Sequence, residues 1–91
     1  MSRARAVLEV AALALAETPE AVRVEETVRR GGSAIELFAA PDDFGRLIGR
    51  RGRTAAALRA LAAAAAELEE ATVAVEFRDG SPDGGRRAGL G

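Results

Sequence analysis

The chain has 91 residues, enough for one domain and one core. Its composition, 48% hydrophobic and 30% charged, is that of a globular protein, but much of the apolar share is alanine and only three residues are aromatic, so the core is thin. Cysteine and histidine are absent, which excludes disulfides, thiolate nucleophiles, imidazole bases and the usual zinc ligands, and thirteen arginines against fourteen acids leave a net charge of -1, too little for a general attraction to polyanions.

From Arg3 to Glu17 apolar residues recur at helical spacing. Val7, Leu8, Ala11, Ala14 and Leu15 share one broad face while Arg5 and Glu9 point away, which predicts a surface helix. Thr18-Pro19 stops it, since proline lacks an N–H and restricts the residue before it. The same stretch imitates a signal peptide, with two early arginines, an apolar middle and Ala14-Leu15-Ala16 in place of a cleavage site. Glu9 argues against export, because a carboxylate in the middle of a short apolar segment is costly to insert. No uninterrupted run of about 20 apolar residues occurs, so neither a membrane span nor a membrane partner is expected.

Val22, Val24 and Val28 alternate with Arg23, Glu25, Thr27 and Arg29, apart from Glu26 on the apolar side, which predicts a strand with one wet face. Gly31-Gly32-Ser33 forms the expected turn, and Ile35, Leu37 and Ala39 alternate with Glu36 and Phe38 in a second strand of the same hairpin. Pro41 opens a short helix through Phe44, Leu47 and Ile48, with Asp42 and Asp43 placed against the positive end of its dipole. Adjacent helical carboxylates do not converge, so no acid–base pair, metal site, catalysis or cofactor is expected from them. After "GRRG" a longer helix runs from Arg53 to about Glu70, with Leu58, Leu61, Ala65 and Leu68 as its buried stripe. Its Ala60–Ala66 run permits close helix approach, either against a second copy or against the chain's own sheet. Thr72 to Arg78 alternates as a third strand, with Val73, Val75 and Phe77 inward and Thr72, Glu76 and Arg78 outward. Residues 1–78 thus read as one α+β domain of order α-β-β-α-α-β, and residues 79–91, dense in glycine, as a disordered tail whose Arg86 and Arg87 are solvated.

The segment "LIGRRGRT", residues 47–54, is the one place where charge is concentrated. Arg46, Arg50, Arg51, Arg53 and Arg59 fall within fourteen residues that contain no acid, so a near-neutral chain carries a local cationic spot. A helix starts at this turn, and its free N–H groups and the arginine side chains offer donors to a phosphate. Glycines on both sides let a polymer backbone approach without Cβ obstruction, whereas a plain helix connection needs only one. Other phosphate motifs do not fit: a P-loop would need glycine where Leu47 stands and a lysine, and Gly45 and Gly49 are too far apart for a dinucleotide fingerprint.

"DFGRLIGRRGRTAAALRAL" resembles the KH module, defined by a GXXG loop between two helices that clamps about four nucleotides of single-stranded nucleic acid by their backbone. Leu47-Ile48 stand as the aliphatic pair before the loop, Gly49 and Gly52 as its glycines, and Arg50 and Arg51 as its basic variable pair. With helix-strand-strand in front, residues 3–78 are similar in size and order to the type II arrangement of the bacterial one-domain KH family KhpA. The resemblance implies a three-stranded mixed sheet with three helices on one face and a cytoplasmic, non-enzymatic RNA-binding protein. It also implies pairing as a homodimer, or as a heterodimer with a larger KH-containing partner. Arg-Arg replaces the lysine common in such loops, which keeps the charge but makes base preference less transferable.

On this resemblance Arg50 and Arg51 neutralise phosphates, Arg53 reinforces them, and Arg46 adds to the field. Bases lie on a shallow floor of Ile48, Ala55 and Ala56 beside a strand edge, with no aromatic near the loop to stack on. Four neutralised phosphates would lower affinity about fifty-fold between 50 and 200 mM salt. The expected role is an RNA chaperone or post-transcriptional regulator acting on single-stranded RNA; the alternatives are a protein-interaction adaptor and a ribosomal RNA assembly factor.

Overall fold

The computed structural model describes residues 2–80. The residues beyond Gly80, with Arg86, Arg87 and nearly all of the expected tail, lie outside the described residues. Helix α1 spans Arg3–Leu15, strand β1 Arg23–Arg29, β2 Gly32–Ala39, helix α2 Pro41–Ile48, helix α3 Arg53–Glu67 and β3 Thr72–Asp79, with single 3-10 turns at Pro19–Ala21 and Arg50–Gly52. The predicted element order is the observed one. The middle strand β2 pairs antiparallel with β1 and parallel with β3, so the sheet is mixed and three-stranded.

Inward residues of the strands, among them Val24, Ile35, Leu37, Val75 and Phe77, meet Leu8, Leu47 and Leu58 of the three helices in one core. A large part of that core is alanine: Ala4 and Ala12 on α1 and Ala62, Ala65 and Ala66 on α3 are all buried. Helices α1 and α3 pack on each other through these short side chains. Of the Ala60–Ala66 run, therefore, one side serves the chain's own core, while Ala60, Ala63 and Ala64 stay exposed.

Several predicted faces shift. On α1 the buried row is Ala4, Leu8 and Ala12, and Ala14 and Leu15 are exposed at the helix end. Arg5 does not point away: its guanidinium Nη2 donates to the Val24 carbonyl at 2.9 Å, on the edge strand β1. On α3, Leu61 and Leu68 are exposed, and Ala55 and Ala62 take the inward positions beside Leu58. The helix ends at Glu67 rather than Glu70, because Glu70 turns left-handed (φ 54°) and the Ala71 N–H reaches back to the Ala66 carbonyl at 3.0 Å. Val28 of β1, next to the hairpin turn, is exposed. The turn itself is Arg30-Gly31, and Gly32 and Ser33 already pair as part of β2. β3 continues through Asp79, and the Gly80 N–H donates to the Ala39 carbonyl at 2.6 Å, so the sheet reaches into the stretch expected to be tail.

On the helix-free face, Phe38 is buried against the guanidinium of Arg23, 4.0 Å from its ring centre, and Arg78 bridges Glu36 and Glu76. Among the described residues no helix is long and apolar enough to cross a membrane.

Candidate nucleic-acid interface

Helix α2 is anchored by a carboxylate, and that anchor positions the loop. Asp43 is fully buried and accepts the Glu17 N–H at 3.1 Å and the Thr18 N–H at 2.9 Å, so it closes the backbone that leaves α1. Its pairing to a segment 25 residues away was not legible in the sequence, where Asp43 reads only as a partner of the helix dipole. The Thr18 and Glu17 donors hold its carboxyl below the usual carboxylate range; burial opposes them and Arg46 adds to them. A depressed carboxyl stabilises the fold fully above the unfolded-state value near 3.9, and the contribution is lost as pH falls through the lower folded-state value. Asp43→Asn is expected to lower the melting temperature at pH 7 by on the order of 10 °C. Melting curves followed down the acid side check the sign: the gap between variant and wild type closes below about pH 4.

The loop begins where α2 ends. Gly49 has φ 80° and ψ 168°, a region open essentially only to glycine, and its N–H still bonds the Gly45 carbonyl at 2.8 Å. A Cβ at Gly49 would lie 2.7 Å from the Thr54 Cβ and 2.8 Å from the Thr54 nitrogen. The space vacated at Gly49 is thus filled by the chain's own Thr54, not left open to a ligand as the loop sequence implies. Gly52 differs: it is left-handed (φ 72°, ψ 17°), and a Cβ there would meet nothing within 4 Å. Between them Arg51 is also left-handed (φ 58°, ψ 24°), which costs an arginine about 1 kcal/mol.

The Gly52 N–H donates to the Gly49 carbonyl at 3.0 Å and the Arg53 N–H to the Arg50 carbonyl. This tight turn takes the Arg53 donor from those expected to be free at the start of α3, and the strongest positive groups of the site are side chains. Arg50, Arg51 and Arg53 are exposed, and among the described residues no carboxylate lies within ion-pair distance of any of them. Arg46 separates from the group. Its guanidinium lies 3.4 Å from a Glu17 carboxylate oxygen and 3.7 Å from Asp43, so its charge is balanced within the molecule. Arg59, the fifth member of the cluster, faces β3: Nε donates to the Val75 carbonyl at 3.2 Å and the guanidinium carbon lies 4.9 Å from the Phe77 ring centre.

Ile48 is half-buried and packs on the core beside the loop, and Ala56 is exposed just after it. Ala55, expected as part of the same floor, is instead buried in the core. Among the described residues no group of three acidic side chains is placed to hold a metal ion.

The sequence pattern described as "KhpA/KhpB, KH domain" matches residues 5–77. "RNA-binding protein KhpA" of Caldanaerobacter subterraneus subsp. tengcongensis is 43% identical over 71 residues, covering 78% of this chain and 95% of that protein. The protein of the same name from Halalkalibacterium halodurans is 40% identical over 75 residues, 82% of this chain and 99% of its own length. That of Mycobacterium leprae is 47% identical over 49 residues, 54% of this chain and 61% of its own. A helix-loop-helix seated on a mixed sheet, with "IGRRG" between its helices, a family pattern over residues 5–77 and two relatives at 40% identity or more over about four fifths of the chain, places it in the KhpA/KhpB family of KH domains.

Proposed function

We propose that this chain is a non-enzymatic RNA-binding protein that holds single-stranded RNA at Gly49-Arg50-Arg51-Gly52. The observation that carries the reading is the contrast within the arginine cluster. Arg46 is ion-paired to Glu17 and Arg59 is tethered through Nε to the Val75 carbonyl, whereas Arg50, Arg51 and Arg53 make no ion pair or side-chain hydrogen bond among the described residues, at the one loop there that carries a left-handed non-glycine residue between two glycines. An unpaired arginine keeps its full charge for a phosphate oxygen and binds it through a planar fork of N–H donors. Gly52, with open space where a Cβ would stand, is the point where a sugar-phosphate backbone comes closest. Relatives of the same family are named RNA-binding proteins.

With three free cations rather than four, the logarithmic salt slope for single-stranded RNA is about -2, and affinity falls about 20-fold between 50 and 200 mM salt. Titrating a short unstructured RNA by fluorescence anisotropy across that range checks it; a slope near zero would remove the phosphate clamp.

A single site of this size holds RNA weakly, and two copies joined would gain through effective concentration. A homodimer, or a heterodimer with a larger KH-containing protein, has a surface available. Val10 and Leu61 are 69% and 46% exposed and, with Ala6, Val7 and Ala11, line a wholly apolar depression between α1 and α3. The same surface favours the second reading, an adaptor that recruits a protein partner. In the leading reading the protein works in the cytoplasm as an RNA chaperone or post-transcriptional regulator.

A further inference from the structure

Arg59 has a geometry of its own. It follows Gly52, the residue that caps α3, by seven positions, almost two full helical turns, so Ala56 and Arg59 share one face of α3 and Arg59 stands about 10 Å along the axis from that cap. Ala56 is exposed and leaves the space between them shallow. At the far end of that face runs β3, an edge strand whose outer carbonyls have no strand to pair with. Arg59 takes one of them, donating from Nε to the Val75 carbonyl at 3.2 Å, while Phe77 supports the guanidinium carbon from 4.9 Å. An in-plane hydrogen bond and an aromatic ring together fix the orientation of the guanidinium group. The two terminal nitrogens, Nη1 and Nη2, have no acceptor among the described residues.

We infer that Arg59 reads a base, selecting one that presents two adjacent acceptors, guanine or cytosine, over adenine or uracil. With Nε committed to Val75, the group still free is the end-on pair of parallel N–H donors. Guanine meets such a pair with O6 and N7, and cytosine with O2 and N3. Adenine sets its N6 amino donor beside both N1 and N7, and uracil separates its two carbonyls with an N–H. These edges are open only in unpaired RNA, where bases splay from the backbone. The inference rests on the RNA-binding reading of the loop: phosphates at Gly52 set the strand's position, and a base two helical turns along α3 falls to Arg59. It also supplies the base-selecting element that a floor of small apolar side chains lacks.

The test uses the full chain and four hexanucleotides: all-uridine, and uridine with a single central G, C or A. The wild type is expected to bind the G and C strands roughly ten-fold tighter than the U and A strands. Arg59→Lys keeps the charge but not the fork, and is expected to bring all four within two-fold of one another with the salt slope unchanged. Arg59→Gln, which removes the charge as well, is expected to lose the same preference, and melting curves verify that each variant folds. Equal wild-type affinity for all four strands, a preference surviving in both variants, or an even loss across the four strands would overturn the assignment. Arg50→Asp with Arg51→Asp separates the two readings: if that variant keeps its RNA affinity the phosphate clamp fails, whereas lost affinity beside an unchanged Arg59→Lys preference removes Arg59 alone.

Discussion

Replacing both Arg50 and Arg51 with aspartate is expected to reduce affinity for single-stranded RNA by on the order of 100-fold near 100 mM salt, with the fold unchanged. Each replacement removes an attraction to phosphate and adds a repulsion, and with only Arg53 left the salt slope falls to about -0.7. The fold is spared because neither side chain makes an ion pair among the described residues and both are exposed. The backbone is spared too, since aspartate tolerates the left-handed conformation of residue 51 better than most residues. Anisotropy measures the binding, circular dichroism the fold, and sedimentation velocity the association state of wild type and variant side by side. Retained RNA affinity would favour the adaptor reading, in which the depression between α1 and α3 is the working surface and the loop is not.

Alanine at the two loop glycines is expected to give unequal results. Gly49→Ala places a Cβ against the backbone nitrogen and side chain of Thr54, in a conformation that alanine does not adopt. The combined strain is about 3 kcal/mol, or roughly 15 °C in melting temperature for a domain of this size. That is a large fraction of the stability of any small domain. Gly52→Ala meets no atom within 4 Å and carries only the left-handed penalty, about 1 kcal/mol. It remains folded, and its added methyl group stands where the RNA backbone is proposed to approach. Gly52→Ala therefore loses affinity with a modest change in melting temperature, whereas Gly49→Ala loses the fold first. Thermal melts paired with anisotropy distinguish the two; equal destabilisation would show that the glycines have one role and not two.

Element order and strand phase were legible from residue spacing because they are local. The alternation of Val73, Val75 and Phe77, and of Ile35 and Leu37, is a period-two signal that no partner element has to complete, and all five point inward as expected. Proline at 41 and glycine at 49 bound α2 for reasons internal to the chain. Helix faces were less legible. In α1 and α3 alanine occupies so many positions that hydrophobic contrast around the helix is weak, and the longer side chains of Leu15, Leu61 and Leu68 draw the predicted stripe toward themselves. The packing of α1 against α3 reverses that choice: the buried positions are Ala4 and Ala12 on one helix and Ala62, Ala65 and Ala66 on the other, beside Leu8 and Leu58.

The cationic turn, its two glycines and the family they signify are properties of the linear chain: charge clustering and glycine spacing survive without any knowledge of what lies nearby. Which arginines the fold holds, wholly or through one nitrogen, is a property of three dimensions. Glu17 reaches Arg46 across 29 positions, Val75 reaches Arg59 across 16, and Asp43 ties α2 to the end of α1. An ion pair or a shared carbonyl depends on the distance between atoms, and folding sets that distance between segments whose separation in sequence carries no trace of it.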